Sequence, residues 1–212
     1  MKGHFITFEG GEGSGKSSQC RLALAALRAR GVDAIATREP GATPIGQRLR
    51  ELLLDPANVG LDATAELLLY CADRAEHVAR IIRPALAAGT TVLCDRFSDA
   101  TRAYQGIARG LGLDQVERAN LAHLAPDLTI LLDVSVATGL GRARARNHAT
   151  GLTCEARFEN ESVVFHERVR DAYLDLARSS GGRIQIVDGE RSEHEIASEV
   201  LDLICRHTGI GR

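Results

Sequence analysis

Short apolar runs alternate along the chain with longer stretches in which apolar residues recur at helical spacing. The apolar runs predict β-strands over residues 4–10, 32–39, 90–95, 128–133 and 183–188. The helical spacing predicts helices over residues 16–30, 44–54, 63–88, 114–123, 135–146, 158–178 and 193–206. Because apolar, β-branched strands alternate with helices, the pattern predicts an α/β fold with a five-stranded parallel sheet that helices cover on both faces.

One segment breaks this alternation. Residues 147–157, NHATGLTCEAR, lack periodicity and lie between two predicted helices, so they are the best candidate for a mobile loop. The chain has no internal repeat, low-complexity tract or linker, and we expect residues 1–212 to form a single domain.

Composition narrows the class of protein. The chain has 212 residues, 44% of them hydrophobic, and a formal net charge of −2. That length supports one α/β core, and the small charge argues against a nucleic-acid or membrane partner. No apolar run approaches the ~18 residues of a membrane span. The N-terminal apolar patch ends at Glu9, which is typical of a strand and not of a signal peptide. We therefore expect a cytoplasmic protein.

The cysteines and histidines are scattered. No two cysteines have the spacing of a metal knuckle or a redox pair, and the seven histidines form no H-x-x-x-H pair. We expect free thiols and no zinc site built by the protein. The five cysteines are Cys20, Cys71, Cys94, Cys154 and Cys205.

Residues 10–17, GGEGSGKS, match the phosphate-binding pattern G-x-x-x-x-G-K-[ST]. The match follows a predicted strand and opens a predicted helix, which is the context of a P-loop. Glycines let successive N–H groups point at phosphate oxygens, Lys16 can reach the outer phosphates, and the Ser17 hydroxyl can ligate Mg²⁺. We expect a nucleoside triphosphate to bind at Gly10, Gly11, Glu12, Gly13, Ser14, Gly15, Lys16, Ser17 and Ser18.

Three further segments carry specific motifs: TREPGATPIGQRLRELLL (37–54), LLLYCADRAEHV (67–78) and DRFSDATRAYQG (95–106). The first and third begin at carboxyl ends of predicted strands, where open α/β sheets bind ligands. With the P-loop they closely resemble the bacterial thymidylate kinase family, in order and over nearly the whole chain. The resemblance implies a three-layer P-loop kinase fold and transfer of the γ-phosphoryl group of ATP to dTMP with Mg²⁺, giving dTDP. It also implies a homodimer.

The resemblance implies two arginines at the acceptor phosphate. Arg96 resembles the family arginine that holds the dTMP phosphate, where a planar donor fork offsets repulsion between two anions. Its alternative is a structural ion pair at a strand end. Arg38 resembles a second phosphate contact, presented by a turn at Pro40 and Gly41. Its alternative is a surface arginine.

The resemblance also implies a base and sugar site. Tyr70 and Arg74 are four residues apart on a predicted helix and resemble a thymine platform, with a ring for stacking and a donor for a carbonyl. Their alternative is a core-facing helix stripe. Thr101 falls at a polar base reader, and Tyr104 falls beside the sugar C2′, with Gln105 as a helper.

Three carboxylates have more than one interpretation. Glu12, inside the P-loop, faces the acceptor sugar hydroxyl in the resemblance, or is otherwise a solvated loop tip. Asp95 holds a Mg²⁺-bound water or orients Arg96. Glu9 is an outer-shell Mg²⁺ contact or a helix-dipole partner.

The resemblance links Gly13 in the P-loop to arginines in a lid. The bacterial branch has glycine in the P-loop where another branch has arginine, and it supplies arginine from a lid, here about residues 142–158. Arg142 and Arg146 share a helix face, so we expect this pair at the transferring phosphoryl group. Arg157 is a third candidate, and Arg144 is expected in solvent.

The chain departs from the family pattern at two positions. Ala42 replaces a glycine, which costs on the order of 1 kcal/mol if the position needs positive φ. Ala156 replaces a lid acid, and the lid is longer than usual. Two alternatives therefore stay open: a kinase for another nucleotide on the same fold, and a nucleotide-binding module whose catalysis has decayed.

Overall fold

The computed structural model describes residues 3–150 and 157–210, and its centre is one sheet of five parallel strands. The strands lie in the order β2-β3-β1-β4-β5, so β1 is in the middle with β3 and β4 as neighbours. The predicted α/β fold with a five-stranded parallel sheet is confirmed. The strands are β1 (Phe5–Glu9), β2 (Ala34–Arg38), β3 (Thr91–Asp95), β4 (Leu128–Asp133) and β5 (Ile184–Asp188).

Helices cover both faces of the sheet. On one face, Ile6 and Phe8 of β1 pack with the apolar sides of the first and last helices into one core. On the other face, Leu131 of β4 packs with Val169 and Tyr173 of α8. The helices are α1 (Lys16–Ala29), α2 (Pro44–Leu54), α3 (Ala63–His77), α4 (Arg83–Ala87), α5 (Ser98–Thr101), α6 (Leu113–Ala119), α7 (Val136–Thr150), α8 (Val163–Ser179) and α9 (Glu193–Thr208), with a 3₁₀ turn at Pro56–Asn58.

The helix ends differ from the sequence predictions in the second half of the chain. The helix predicted from residue 158 begins only at Val163, because the Ser162 hydroxyl accepts from the Phe165 N–H and caps it there. The prediction of a loop over 147–157 is wrong for 147–150, since α7 continues to Thr150. Residues 151–156 of that loop lie outside the described residues. The helix predicted over 114–123 ends at Ala119.

Two π-helical segments complete the helical layer. Val78–Ile82 joins α3 to α4, so the predicted helix over 63–88 is nearly continuous. Arg102–Ala108 continues α5, and no apolar periodicity predicted it. A π-turn offsets the helical register, and such turns recur at functional sites. Along the residues that the structure describes, no helix has the length and apolarity to cross a membrane.

Candidate active site

A cavity of about 480 Å³ opens at the carboxyl edge of the sheet, and it brings together all four sequence motifs and α7. Its walls are the P-loop, the segment after β2, α3, the segment after β3 and the lid arginines. The residues predicted from sequence that line it are Glu12, Gly13, Ser14, Gly15, Lys16, Ser17, Ser18, Arg38, Tyr70, Arg74, Asp95, Arg96, Thr101, Tyr104, Gln105, Arg142 and Arg146.

The P-loop has the backbone that its glycines permit. Gly13 and Gly15 have φ of 66° and 93°, in the left-handed region that disfavours side chains. Lys16 begins α1 and is nearly buried, with Nζ donating to the Gly11 carbonyl at 2.6 Å and to the Ser14 hydroxyl at 3.1 Å. Burial and the charge of Arg96 lower the pKa of Lys16 to about 8. Lys16 is therefore held at the loop by acceptors of the chain itself.

Steric crowding also explains why a glycine occupies position 13. A Cβ on Gly13 would lie 2.0 Å from the carbonyl oxygen of Gly139, and a Cβ on Gly139 would lie 2.4 Å from the carbonyl oxygen of Glu12. The P-loop and α7 thus meet backbone to backbone. From sequence, Gly13 indicated only missing positive charge. In the structure, glycines at positions 13 and 139 let α7, which carries Arg142 and Arg146, lie directly against the P-loop.

Arg96 lies between the two ends of the cavity. Its φ is 67°, a strained conformation for a residue with a side chain. One terminal nitrogen donates to Glu12 at 2.7 Å, and the other to the Gly10 carbonyl at 3.1 Å. Burial alone would raise the pKa of Glu12, but the charges of Arg96 and Lys16 lower it to about 2. Glu12 thus holds Arg96 in place. Gly10 does not line the main cavity, but its carbonyl also binds Arg96.

Oxygen ligands for a cation meet beside the P-loop. The Ser17 hydroxyl donates to the Asp95 carboxylate in a very short hydrogen bond. Asp95 is therefore paired with Ser17, while the side-chain partners of Arg96 are Glu12 and Tyr173. No cluster of three histidine, cysteine or carboxylate ligands occurs within residues 3–150 and 157–210. The hydroxyl–carboxylate pair fits Mg²⁺, which takes few protein ligands and keeps waters and phosphate oxygens.

Glu9 does not share that position. It is fully buried and accepts from the backbone N–H groups of Phe97 and Ala100 and from the Tyr173 hydroxyl. Burial, and then the charge of Asp99, raises the pKa of Glu9 to about 7. These contacts do not support the metal role predicted for Glu9, since one oxygen serves the start of α5 and the other accepts from Tyr173 of α8. They match its other interpretation, a partner of a helix N-terminus.

The residues predicted to contact the base lie on α3 and α5. Tyr70 is half-buried at the cavity wall, and Arg74 is buried one turn further along. Arg74 Nη2 donates to the Thr101 hydroxyl at 2.7 Å and to the Phe97 carbonyl at 3.2 Å. The structure thus brings the three predicted base contacts together, with Arg74 and Thr101 hydrogen-bonded to each other.

The residues predicted to lie at the sugar, and Arg38, line the same cavity. The Tyr104 hydroxyl donates to Glu12 at 3.0 Å, and the Arg96 guanidinium lies 5.1 Å from the Tyr104 ring centre. Gln105 donates to Glu66 at 2.7 Å and is buried. Arg38 lines the opposite wall, where it donates to Gln47 at 3.4 Å.

The lid arginines separate into two groups. Arg142 and Arg146 line the cavity, Arg142 donating to the Gly189 carbonyl at 2.9 Å and Arg146 to Glu159 at 2.8 Å. Arg144 is exposed and lies outside the cavity lining. Arg157 is buried and donates to Glu66 at 2.5 Å, so the structure does not place this third candidate at the phosphates.

Arg157 instead anchors the C-terminal end of the predicted lid. Its Nη1 donates to the Leu53 carbonyl at 2.9 Å, and its backbone N–H to the Leu54 carbonyl at 3.3 Å. The Glu66 carboxylate that it contacts also accepts from Gln105. The described end of the lid is thereby tied to α2 and α3.

Several functional candidates escaped the sequence analysis. Glu39, Arg50, Asn147, Phe158 and Glu159 also line the cavity. The position of Glu39 inside the T-R-E-P-G motif was the signal that could have identified it as a site residue. The departure at Ala42 has no backbone cost, because its φ is not positive. Ala156, the other departure, lies outside the described residues.

Comparison with known proteins identifies relatives of the whole chain. A family model described as thymidylate kinase matches residues 8–200. A thymidylate kinase of Trichlorobacter lovleyi is 51% identical over 209 residues, which cover 97% of this chain and 99% of the relative. A thymidylate kinase of Geobacter sulfurreducens is 48% identical over 205 residues, covering 95% and 96%.

A solved structure agrees with these sequences. The crystal structure of thymidylate kinase from Ehrlichia chaffeensis superposes with a TM-score of 0.75 and is 32% identical. The match covers 96% of this chain and 99% of that one. The range of the family model includes every segment that lines the cavity.

Proposed function

The chain belongs to the thymidylate kinase family, and we propose that its cavity holds dTMP and ATP with their phosphates meeting between Arg96 and the lid arginines. It is a nucleoside monophosphate kinase, which transfers the γ-phosphoryl group of ATP to dTMP and releases dTDP and ADP. The roles of the individual residues, Mg²⁺, the oligomeric state and the cellular compartment are the proposed part.

One observation carries the proposal. A single cavity is lined at one end by the P-loop and at the other by Tyr70 and Arg74, with Arg96 between them. Two substrates that react end to end need this order, because the acceptor phosphate must lie within reach of the γ-phosphorus. Thymine stacks on Tyr70 and accepts from Arg74, while Arg38 and Arg96 hold the dTMP phosphate.

Side chains of the protein neutralise the negative charge of the phosphates during the reaction. An oxygen of the dTMP phosphate attacks the γ-phosphorus, the bond from that phosphorus to the β,γ-bridging oxygen breaks, and ADP leaves with that oxygen. Arg96 holds the attacking phosphate. Lys16 holds the β- and γ-oxygens, and Arg142 and Arg146 close on the transferred group. Glu12 orients Arg96 and faces the acceptor sugar, and Tyr104 with Gln105 fills the space at the sugar C2′.

Mg²⁺ has a fitting position in this arrangement. Ser17 would ligate the ion directly and Asp95 would hold one of its waters, as hydroxyl and carboxylate oxygens suit a hard cation. Bound there, Mg²⁺ supplies positive charge to the β- and γ-phosphates. Glu9 is left out of the proposed metal site, because its contacts are with α5 and Tyr173.

A homodimer in the cytoplasm completes the proposal. Leu52 on α2, Val59 directly after the 3₁₀ turn and Leu68 on α3 are exposed apolar residues, and α2 packs against α3. Exposed apolar side chains on adjoining elements suit a self-complementary interface between two copies. The cytoplasm is the compartment that supplies both nucleotides. We further propose that residues 1–212 act as one domain, with the lid at about residues 142–158.

A coupled ADP-release assay tests the function. With saturating ATP and Mg²⁺, we expect the highest kcat/KM for dTMP among dTMP, dUMP, dCMP and AMP. The absence of a dTMP preference would overturn the proposed substrate. Turnover of another monophosphate would favour a different nucleotide kinase, and thermal stabilisation by ATP without any turnover would favour a binding module.

A further inference from the structure

The guanidinium of Arg74 is enclosed by acceptors that fix its orientation. Its Nε donates to Glu39 at 3.0 Å, and its Nη2 donates to Thr101 and to the Phe97 carbonyl. Nη1 is buried and has no partner in the described part of the chain. An unpartnered buried N–H group is costly. Because Arg74 lines the cavity, Nη1 is the part of the side chain left for a ligand.

The acceptor that holds Nε is itself held. Glu39 is 5% exposed, and its second oxygen lies 2.9 Å from Nδ1 of His77. Since a carboxylate can only accept, the proton of that bond belongs to Nδ1. In the neutral imidazole, the other ring nitrogen, Nε2, then accepts from the Thr37 hydroxyl at 2.7 Å. His77 is wholly buried, so these bonds form one directional chain from Thr37 of β2 to Arg74 of α3.

The direction of these bonds determines what the cavity offers to a base. Arg74 has donors only, so the Thr101 oxygen must accept from Nη2, and the hydroxyl proton of Thr101 is free for another acceptor. The wall thus presents N–H and O–H donors. Such a wall fits the C4 carbonyl oxygen of thymine, whereas the C4 amino group of cytosine would place donor against donor.

We propose that Glu39 and His77 are positioning residues for base choice, which hold Arg74 so that Nη1 faces a 4-oxopyrimidine. The proposal rests on the proposed function and deepens it. Neither residue contacts the base in this role. Their effect on catalysis passes through the orientation of Arg74, which predicts a change in nucleotide affinity and selectivity without loss of the phosphoryl-transfer step.

Asp73 offers a matched control on the same helix. It is as buried as Arg74, and its carboxylate accepts from the Gly41 N–H at 3.1 Å. It therefore ties the loop after β2, which also carries Glu39, to α3. It does not hydrogen-bond to Arg74. Asp73→Asn therefore removes a buried carboxylate beside this loop and leaves the chain through Glu39 intact.

The test compares steady-state kinetics and thermal unfolding of three variants of the full chain. For Glu39→Gln we expect KM for dTMP to rise about 10- to 100-fold, because a charged hydrogen bond to Arg74 becomes a neutral one. We expect kcat and KM for ATP to change less than about threefold, and the dTMP/dCMP ratio of kcat/KM to fall. Asp73→Asn should keep that ratio. His77→Asn, which can still donate to Glu39, should keep it better than His77→Phe.

The outcomes separate this inference from the function on which it rests. If the wild-type chain shows no dTMP preference, the proposed substrate fails first. If the wild type prefers dTMP but Glu39→Gln keeps its KM and its selectivity, the positioning role is refuted. A fall in Tm and kcat with unchanged KM, or equal effects of Glu39→Gln and Asp73→Asn, would show a merely structural role and overturn the inference.

Discussion

The two ends of the cavity hold their arginines in opposite ways. At the proposed base end, Arg74 is 1% exposed and is fixed by three acceptors, one after β2 and two after β3. At the phosphate end, the side chain of Arg146 is 56% exposed and pairs with Glu159. Arg96, between them, pairs with Glu12. The proposed base end is therefore pre-organised by the fold, whereas Arg146 pairs with a carboxylate that phosphate oxygens can replace.

Removal of Lys16 should have the largest effect. Lys16→Ala should lower kcat by about 10³-fold, because no other side chain can bring a compact positive charge to the outer phosphates from inside the P-loop. Steady-state kinetics would measure the loss, and circular dichroism should show a native fold. Lys16→Arg serves as the control for charge alone. A variant that kept a near-normal rate would refute the phosphate role of Lys16.

The sequence was sufficient for the parts of the molecule that depend on local pattern. The middle strand β1 is buried along its whole length, so its apolar run could be recognised without knowledge of its neighbours. The P-loop was equally visible, since its spacing joins a strand to a helix. The helical structure over residues 98–108 was missed, because the polar residues there line the cavity and leave little apolar periodicity.

Long-range contacts limit how far the roles of the site residues can be predicted from the sequence. Arg157 looked like a third phosphoryl contact because it is a lid arginine, but its partner Glu66 is 91 positions away. Glu39 and His77 are hydrogen-bonded although they are 38 positions apart, and their residue types did not predict this contact. Motif spacing predicts which residues reach the cavity, and only the fold shows which of them are already paired.

Removal of one lid arginine should have the second-largest effect and sharpen the comparison. Arg146→Ala should lower kcat by about 10²-fold, because it removes one of the two lid arginines proposed to face the transferred phosphoryl group. KM for dTMP should change little, since the base end does not depend on the lid. Arg144→Ala, on the exposed side of the same helix, is the matched control and should change kcat by less than about twofold. Equal losses in both variants would show that the lid acts by general charge and not by position.

The smallest expected effect concerns the backbone contact that brings α7 to the P-loop. A Cβ at Gly139 would lie 2.4 Å from the Glu12 carbonyl oxygen, and a backbone atom cannot swing away as the end of a side chain can. Gly139→Ala should therefore lower the free energy of unfolding by about 1–3 kcal/mol. Because the clash pushes the lid arginines away from the loop, kcat should fall as well, while selectivity among pyrimidines stays.

Gly141 provides the control on the same helix, since a Cβ there would meet nothing within 4 Å. Gly141→Ala should raise the free energy of unfolding by about 0.5–1 kcal/mol, because alanine loses less backbone entropy than glycine on helix formation. Urea unfolding of both variants, read beside kcat and the dTMP/dCMP ratio, checks the pair. A loss of selectivity in Gly139→Ala would contradict the independence of the two ends, since it would mean that the base site also depends on how closely α7 meets the P-loop.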